Sequence, residues 1–265
     1  MGKTLLGLSI GLAVASGSQI LRWSAPQRRR VLYVDGEMPV VSLQERVRAL
    51  SLGFNGTTIP NEGFRLLAAD HFEGGINLSD QVGQNSLEPL LLDTDLLILD
   101  NLSTLCPNRS EAASDAWSPI QGWLLELRRK GISVLFIHHA GLNGRQRGTS
   151  RREDALDTVI ALKRPEDYSP QQGARFEIHF EKLRNRVDSD AATPFEARVE
   201  SFVSSRFEGI RWLSCEITPP LLKRASELFK DGFTVREVAA ALRISKSEAG
   251  RLRIKAFEES LLCSP

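Results

Sequence analysis

The sequence predicts an α/β protein with a mostly parallel sheet, followed by a small helical domain at its C-terminal end. Short runs rich in Val, Ile, Leu and Phe alternate with helical periodicity from residue 2 to about 210, the pattern of buried parallel strands joined by helices. Several of these runs end on charged or amide side chains, where an open α/β sheet binds its ligands. After Trp212 the composition changes: Pro219-Pro220 marks a break, and the chain beyond it is helical with a basic bias. These features divide the chain into 1–212 and 219–265.

In chain order, Gly2-Lys3-Thr4 opens directly onto an apolar helix from Leu5 to Ala15. This stretch also fits a secretory signal, with Lys3 as the charged start and Ala13-Val14-Ala15 as the cleavage site. A myristoylation signal fails, because Leu6 stands where Ser or Thr is needed. Val31 to Asp35 is a strand, and the capping box Ser42-Leu43-Gln44-Glu45 announces a helix with Leu43, Val47 and Leu50 on one face and Gly53 at its end. Phe64 to Leu67 is a short strand, and Asp95 to Asp100 runs apolar into an acid. A helix from about Asp115 to Lys130 carries Trp117, Ile120, Leu124 and Leu127 and stops at Gly131. Ile132 to His138 and Thr158 to Leu162 are further strands, and Phe176, Ile178 and Phe180 alternate as in a half-exposed one.

Beyond the break stand the capping boxes Thr234-Val235-Arg236-Glu237 and Ser245-Lys246-Ser247-Glu248, with Val238, Ala239, Ala241, Leu242 and Ile244 as a small core. Two short helices joined by a tight turn, the second carrying Lys246, Arg251, Arg253 and Lys255, read as a helix-turn-helix. Its turn often contains Gly; here Arg243 occupies it. The same residues also fit a helical hairpin that caps the main domain or joins subunits.

Composition sets limits. The 265 residues suit one large domain and one small one, and 42% hydrophobic with 25% charged residues is ordinary for a soluble protein. A net charge of +1 gives no global sign of a nucleic-acid or membrane partner. Cys106, Cys215 and Cys263 are scattered, which excludes a zinc site and a disulfide framework and favours a reducing, cytoplasmic compartment. No apolar run approaches the roughly 20 residues needed to span a bilayer.

The strand ends carry the chemistry: Gly36-Glu37-Met38 after the first strand, Asp100-Asn101 after Leu97-Ile98-Leu99, His138-His139 after Phe136-Ile137, and Lys182-Leu183-Arg184-Asn185 after Phe180-Glu181. With Gly2-Lys3-Thr4 before them, this order resembles the RecA-type P-loop ATPases, and more closely the hexameric replicative helicases of the DnaB and plasmid RepA kind, over about residues 2–205. The resemblance implies a RecA-like core that binds ATP with Mg2+. Gly2, Lys3, Thr4 and Leu5 would then hold the nucleotide at the end of a phosphate-binding loop, and Thr4 and Asp100 would hold the metal. Glu37 takes the place of the catalytic base, and His139 that of a polar sensor of the γ-phosphate, with His138 in a structural place. Lys182 and Arg184 resemble the K-x-R element that such rings insert into a neighbour's site, which implies a homo-oligomer, a hexameric ring. The stretches Thr104–Ser114 and Gly141–Arg152 match channel-facing loops, and Arg145, Arg147, Arg151 and Arg152 would track single-stranded DNA, while Lys246, Arg251 and Arg253 would meet duplex DNA. A mobile surface loop fits the second stretch as well, and a solvated face fits each charge cluster.

The family's loop begins earlier, with a strand and a first glycine that this sequence lacks. The expectation is therefore an N-terminally truncated fragment, or a start assigned too late. The leading functional expectation is an ATP-hydrolysing, DNA-associated protein of the RepA helicase type. A DNA-binding regulator with an inert or switch-like ATPase domain is the alternative, and a filament-forming RecA-like repair accessory a third.

Overall fold

The first helix, α1 (Lys3–Ser16), is apolar on every side, and the computed structural model gives the reason: it is covered from both sides by sheets. Leu8, Leu12 and Ala15 pack with Val31, Tyr33 and Ile98 of one sheet, while Leu6 and Ile10 pack with Phe176, Ile178 and Phe195 of another. A surface helix needs a polar stripe; a helix buried on both sides does not. Its buried Ser9 donates to the Leu5 carbonyl (2.7 Å) and accepts from the Trp212 indole (2.8 Å), so the polar atom is satisfied. The structure describes residues 2–54, 62–72, 75–107, 117–139, 156–184, 189–204, 207–259 and 261.

A short antiparallel pair, β1 (Gln19–Ile20) and β2 (Trp23–Ser24), leads to β3 (Val31–Asp35), buried at every position. Then come α2 (Val40–Gly53), β4 (Phe64–Ala68), α3 (Gln81–Leu91), β5 (Leu96–Asp100), α4 (Leu102–Leu105), α5 (Trp117–Arg129) and β6 (Ser133–Phe136). The four strands pair in the order β4-β3-β5-β6, all parallel. Alternation along β3 sends Leu32 and Val34 to a core with Leu87 and Leu91 of α3 and Ile120, Trp123 and Leu127 of α5. Val31 and Tyr33 go to the opposite core with α1 and with Leu43 and Leu50 of α2. Gly7 lets α1 approach closely, since a Cβ there would lie 2.7 Å from Ile137 Cδ1 and 3.3 Å from the Tyr33 hydroxyl.

Three local expectations are corrected. Helix α2 starts at Val40, so Ser42 lies inside it: Pro39 supplies the extended cap, and the Asp70 carboxylate takes the Val40 N–H at 3.0 Å. Thr104 and Leu105 belong to the short α4, not to a long connection; residues 108–116 and 140–155, which include 108–114 of the first supposed channel loop and all of the second, lie outside the described residues. The strands after residue 156 do not extend the parallel sheet. β7 (Thr158–Lys163), β8 (Arg175–Leu183), β9 (Phe195–Ser204) and β10 (Phe207–Glu216), with the short α6 (Ser189–Ala192) before β9, form a second four-stranded sheet in the order β10-β9-β8-β7. β8 runs antiparallel to both β7 and β9, which short returns permit and crossover helices are not needed for. Buried Arg175 joins β8 to β9 through Glu196 (2.7 Å) and also holds Asp167 at 3.0 Å.

The chain divides into two compact units, Met1–Cys215 and Glu216–Pro265. In the second, α7 (Pro220–Lys230), α8 (Val235–Leu242) and α9 (Lys246–Glu258) share a core of Ala225, Val238, Ala239 and Ala249. Ala241, expected in that core, is exposed. The Thr234 hydroxyl and Glu237 carboxylate cap α8 reciprocally, and Ser245 caps α9 by accepting from the Glu248 N–H at 3.1 Å. Arg243 turns the chain between them in the left-handed conformation, at φ 55°.

Candidate nucleotide-binding site

Parallel pairing places Asp35 of β3 directly opposite Asp100 of β5, so two strands deliver an acid to the same edge of the sheet. Each acid is then put to a different use. Asp35 Oδ1 accepts from the backbone N–H groups of Glu37 (2.8 Å) and Met38 (2.6 Å), an Asx turn that folds the chain back and presents Glu37. Burial pushes the Asp35 carboxyl up from its ordinary range; those two N–H groups pull it down, and the neighbouring Asp100 and Glu37 charges push it up again. Asp100 Oδ2 accepts from the Tyr33 hydroxyl at 2.7 Å. Burial, and then the Asp100 charge, raise the Tyr33 phenol far above its ordinary value, so it remains a donor.

Asn101 joins the next pair of groups. As the cap of α4, its Oδ1 accepts from Ser103 N–H (3.0 Å) and Thr104 N–H (3.2 Å). That fixes which end of the amide is nitrogen, and Nδ2 donates to Glu37 Oε2 at 2.7 Å. The same Nδ2 lies 3.3 Å from His139 Nε2. On its other side, His139 Nδ1 lies 3.1 Å from Lys3 Nζ. Lys3, the first residue of α1, has its pKa lowered by burial, an effect that the Asp100 and Glu37 charges oppose.

Gly2 caps α1 from the left-handed region at φ 52°, and a Cβ there would lie 2.5 Å from Phe176 Cε1. Both facts favour glycine over a residue with a side chain. No side chain caps this helix and no acid stands in its first turn, so the N–H groups of Lys3, Thr4 and Leu5 form an uncapped positive helix end.

The structure therefore gathers Lys3, Glu37, Asp100 and His139, with Gly2, Thr4 and Leu5 at the same helix start. Lys182 and Arg184 stand elsewhere, at the end of β8 in the second sheet; the Arg184 N–H donates to the Asp157 carbonyl (2.8 Å) and its guanidinium lies 3.8 Å from the Asp157 carboxylate. Arg145, Arg147, Arg151 and Arg152 lie outside the described residues. Lys246, Arg251 and Arg253 are all exposed on α9, and the Arg253 guanidinium also rests over the rings of Phe229 (5.7 Å) and Phe257 (5.9 Å). Sequence reasoning assigned no role to Tyr33, Asp35 or Asn101. Asn directly before Leu-Ser-Thr is a helix-cap signal, and Asp-Gly after a strand is a turn signal, so two of these were readable locally.

A family model described as an AAA domain matches residues 1–145 of the 265. The chain belongs to that family. The matched span takes in α1, the whole parallel sheet and every residue of the Lys3 cluster. Membership supports an ATP-binding P-loop ATPase, and the parallel four-stranded sheet agrees with a RecA-like core. No curated protein matches the chain significantly. Among the described residues no helix is long and apolar enough to cross a membrane.

The residues present fit ATP with Mg2+. An uncapped helix start and a lysine suit phosphate. The Thr4 hydroxyl and Asp100 carboxylate are hard oxygen donors, and no cluster of three or more His, Cys, Asp or Glu side chains forms a cage among the described residues. Magnesium is commonly held in this way, by one or two carboxylates with water and substrate phosphate completing its shell.

Proposed function

We propose that this protein is an ATP-hydrolysing, DNA-associated protein of the RepA replicative-helicase type, working as a homo-oligomeric ring whose ATP sites are completed between subunits. The observation that carries the reading is the continuous set of contacts from Lys3 through His139 and Asn101 to Glu37, beside Asp100. It joins a phosphate-binding amine to a carboxylate placed to act as base.

In this reading Lys3 and the first-turn N–H groups of α1 hold the phosphates, and Thr4 and Asp100 hold the metal. Magnesium, when bound, supplies positive charge to the β- and γ-phosphate oxygens. Glu37 accepts the proton of the attacking water as its oxygen bonds to the γ-phosphorus and the bond to ADP breaks. Tyr33 keeps the Asp100 carboxylate in one orientation, and His139 senses the γ-phosphate. Arg184, with Lys182 beside it, exchanges Asp157 for the phosphoryl group of a neighbouring subunit. Single-stranded DNA lies against the segment containing Arg145, Arg147 and Arg151.

ATP turnover with and without single-stranded DNA tests this. We expect DNA to stimulate turnover, Glu37→Gln to lower it by about 10²–10⁴-fold, and Arg184→Ala to lower it by about 10³-fold or more. A protein that binds no ATP and turns none over sinks the reading. The exposed Lys246 and Arg251 on α9, in a unit compact by itself, favour a second one: a regulator that binds duplex DNA through a helix-turn-helix. Sequence-specific duplex binding without ATP turnover would select it.

A further inference from the structure

We infer that Asn101 is a positioning residue for Glu37, and that His139 shuttles between Lys3 and the Asn101 amide so that occupancy of Lys3 is relayed to the base. The inference rests on the ATPase reading above. Its basis is donor and acceptor counting in the cluster.

Because the Asn101 Oδ1 is committed to the Ser103 and Thr104 N–H groups, only its NH2 faces the site, and that group only donates. One hydrogen goes to Glu37 Oε2 at 2.7 Å, and the other points toward His139 Nε2 at 3.3 Å. On the far side of the ring an ammonium, which also only donates, stands 3.1 Å from Nδ1. A neutral imidazole has a single acceptor nitrogen. It cannot accept from both neighbours at once. While Lys3 is charged and bonded to Nδ1, the ring proton sits on Nε2 and opposes the Asn101 NH2. The longer of the two Asn101 contacts is the one that this conflict weakens.

A phosphate that takes the Lys3 ammonium removes the conflict. Nδ1 then takes a proton from solvent as Nε2 gives one up to solvent, Nε2 accepts from Asn101, and both amide hydrogens are engaged: one on the imidazole, one on the Glu37 carboxylate. Two anchors fix the amide plane better than one, and the Glu37 carboxylate is held where the cap of α4 dictates. The base thus becomes best positioned when phosphate is present, by a solvent-mediated exchange of the ring proton and without movement of the backbone.

The substitution that separates this role from the helix cap is Asn101→Ser. Serine caps a helix about as well as asparagine, but it has no amide to reach Glu37 or His139. In the full chain we expect kcat to fall by roughly 10- to 100-fold, the scale of a lost hydrogen bond to a charged group. The KM for ATP and the affinity for a non-hydrolysable ATP analogue should change by much less than kcat, because Asn101 reaches the phosphate-binding helix start only through His139. In a Glu37→Gln background the same change should alter the residual rate by less than about twofold, since the positioned group is already gone. An unchanged kcat in Asn101→Ser overturns the inference and leaves Asn101 a cap alone. Equal loss of analogue binding and turnover also overturns it. If Asn101→Ser fails to fold, Asn101→Thr, which keeps a capping hydroxyl and lacks the amide, carries the same comparison. Wild-type protein that neither binds nor hydrolyses ATP instead refutes the ATPase reading, and this inference with it.

Discussion

Replacing Tyr33 by Phe removes one buried oxygen atom and tests how the Asp100 carboxylate is held. Tyr33 is fully buried at 0% exposure, and its hydroxyl donates to Asp100, itself only 4% exposed. Phenylalanine keeps the ring contacts with α1 and Phe64. What is lost is a hydrogen bond to a buried carboxylate, which then lacks its donor. Such a bond contributes about 1.5–3 kcal/mol. The phenol's own burial cost is relieved, but a neutral hydroxyl costs less to bury than an ionised carboxylate left unpaired, so the net effect is destabilising. At about 2–4 °C per kcal/mol for a unit of this size, the melting temperature should drop by about 3–12 °C. Thermal and urea melts of Tyr33→Phe beside wild type, followed at the same pH, measure it. Burial and Asp100 hold the Tyr33 phenol protonated, so the difference should persist from neutral to mildly alkaline pH. With the Asp100 carboxylate free to turn, the magnesium concentration giving half-maximal turnover should also rise. A variant as stable as wild type within about 0.5 kcal/mol would refute the claim that this hydrogen bond organises the acid.

Other perturbations probe separate parts of the structure. Asp35 has a raised folded-state pKa, so its favourable contribution is complete below the unfolded value of about 3.9 and is lost as pH rises through the folded one. Asp35→Asn keeps the oxygen that accepts from Glu37 and Met38, so its stability should gain on wild type as pH rises through that window, as melting temperatures between about pH 3.5 and 7 will show. Gly2→Ala puts a Cβ at φ 52° and 2.5 Å from Phe176 Cε1, and should destabilise by roughly 2–4 kcal/mol in urea melts. Arg243→Gly relieves a left-handed residue at the C-terminal end of α8 and should stabilise the C-terminal unit by about 1 kcal/mol, read as slower amide exchange in α8 and α9.

The sites of the parallel strands and the residues at their ends were legible in the linear sequence. Val31–Asp35 and Leu96–Asp100 are continuous apolar runs closed by an acid, and such runs have few places in a fold other than the middle of a parallel sheet. Glu37, Asp100 and His139 could be singled out because each stands at or just beyond the end of one of these strands. The caps of α8 and α9 were equally local, set by a hydroxyl and a carboxylate spaced for a single helical turn.

Other features depended on partners distant in the chain. The apolar circumference of α1 is equally consistent with a leader and with a core helix; the two sheets that cover it come from residues 31–100 and 175–197, and no local pattern announces them. The strands after 156 show alternation but carry no mark of their neighbours, so their separation into an antiparallel sheet is decided by pairing across distant residues. The start of α2 was misread because Asp70, thirty positions away, satisfies the Val40 N–H that a local cap would have served. The cluster itself has the same origin. The sequence by itself determined which residue types stand at the strand ends, because hydrophobic runs and their terminators act over a few residues. Only the tertiary structure decided that the Asn101 amide, oriented by its own helix cap, touches both Glu37 and His139, because parallel register and chain return bring together groups that lie 38 and 64 positions apart.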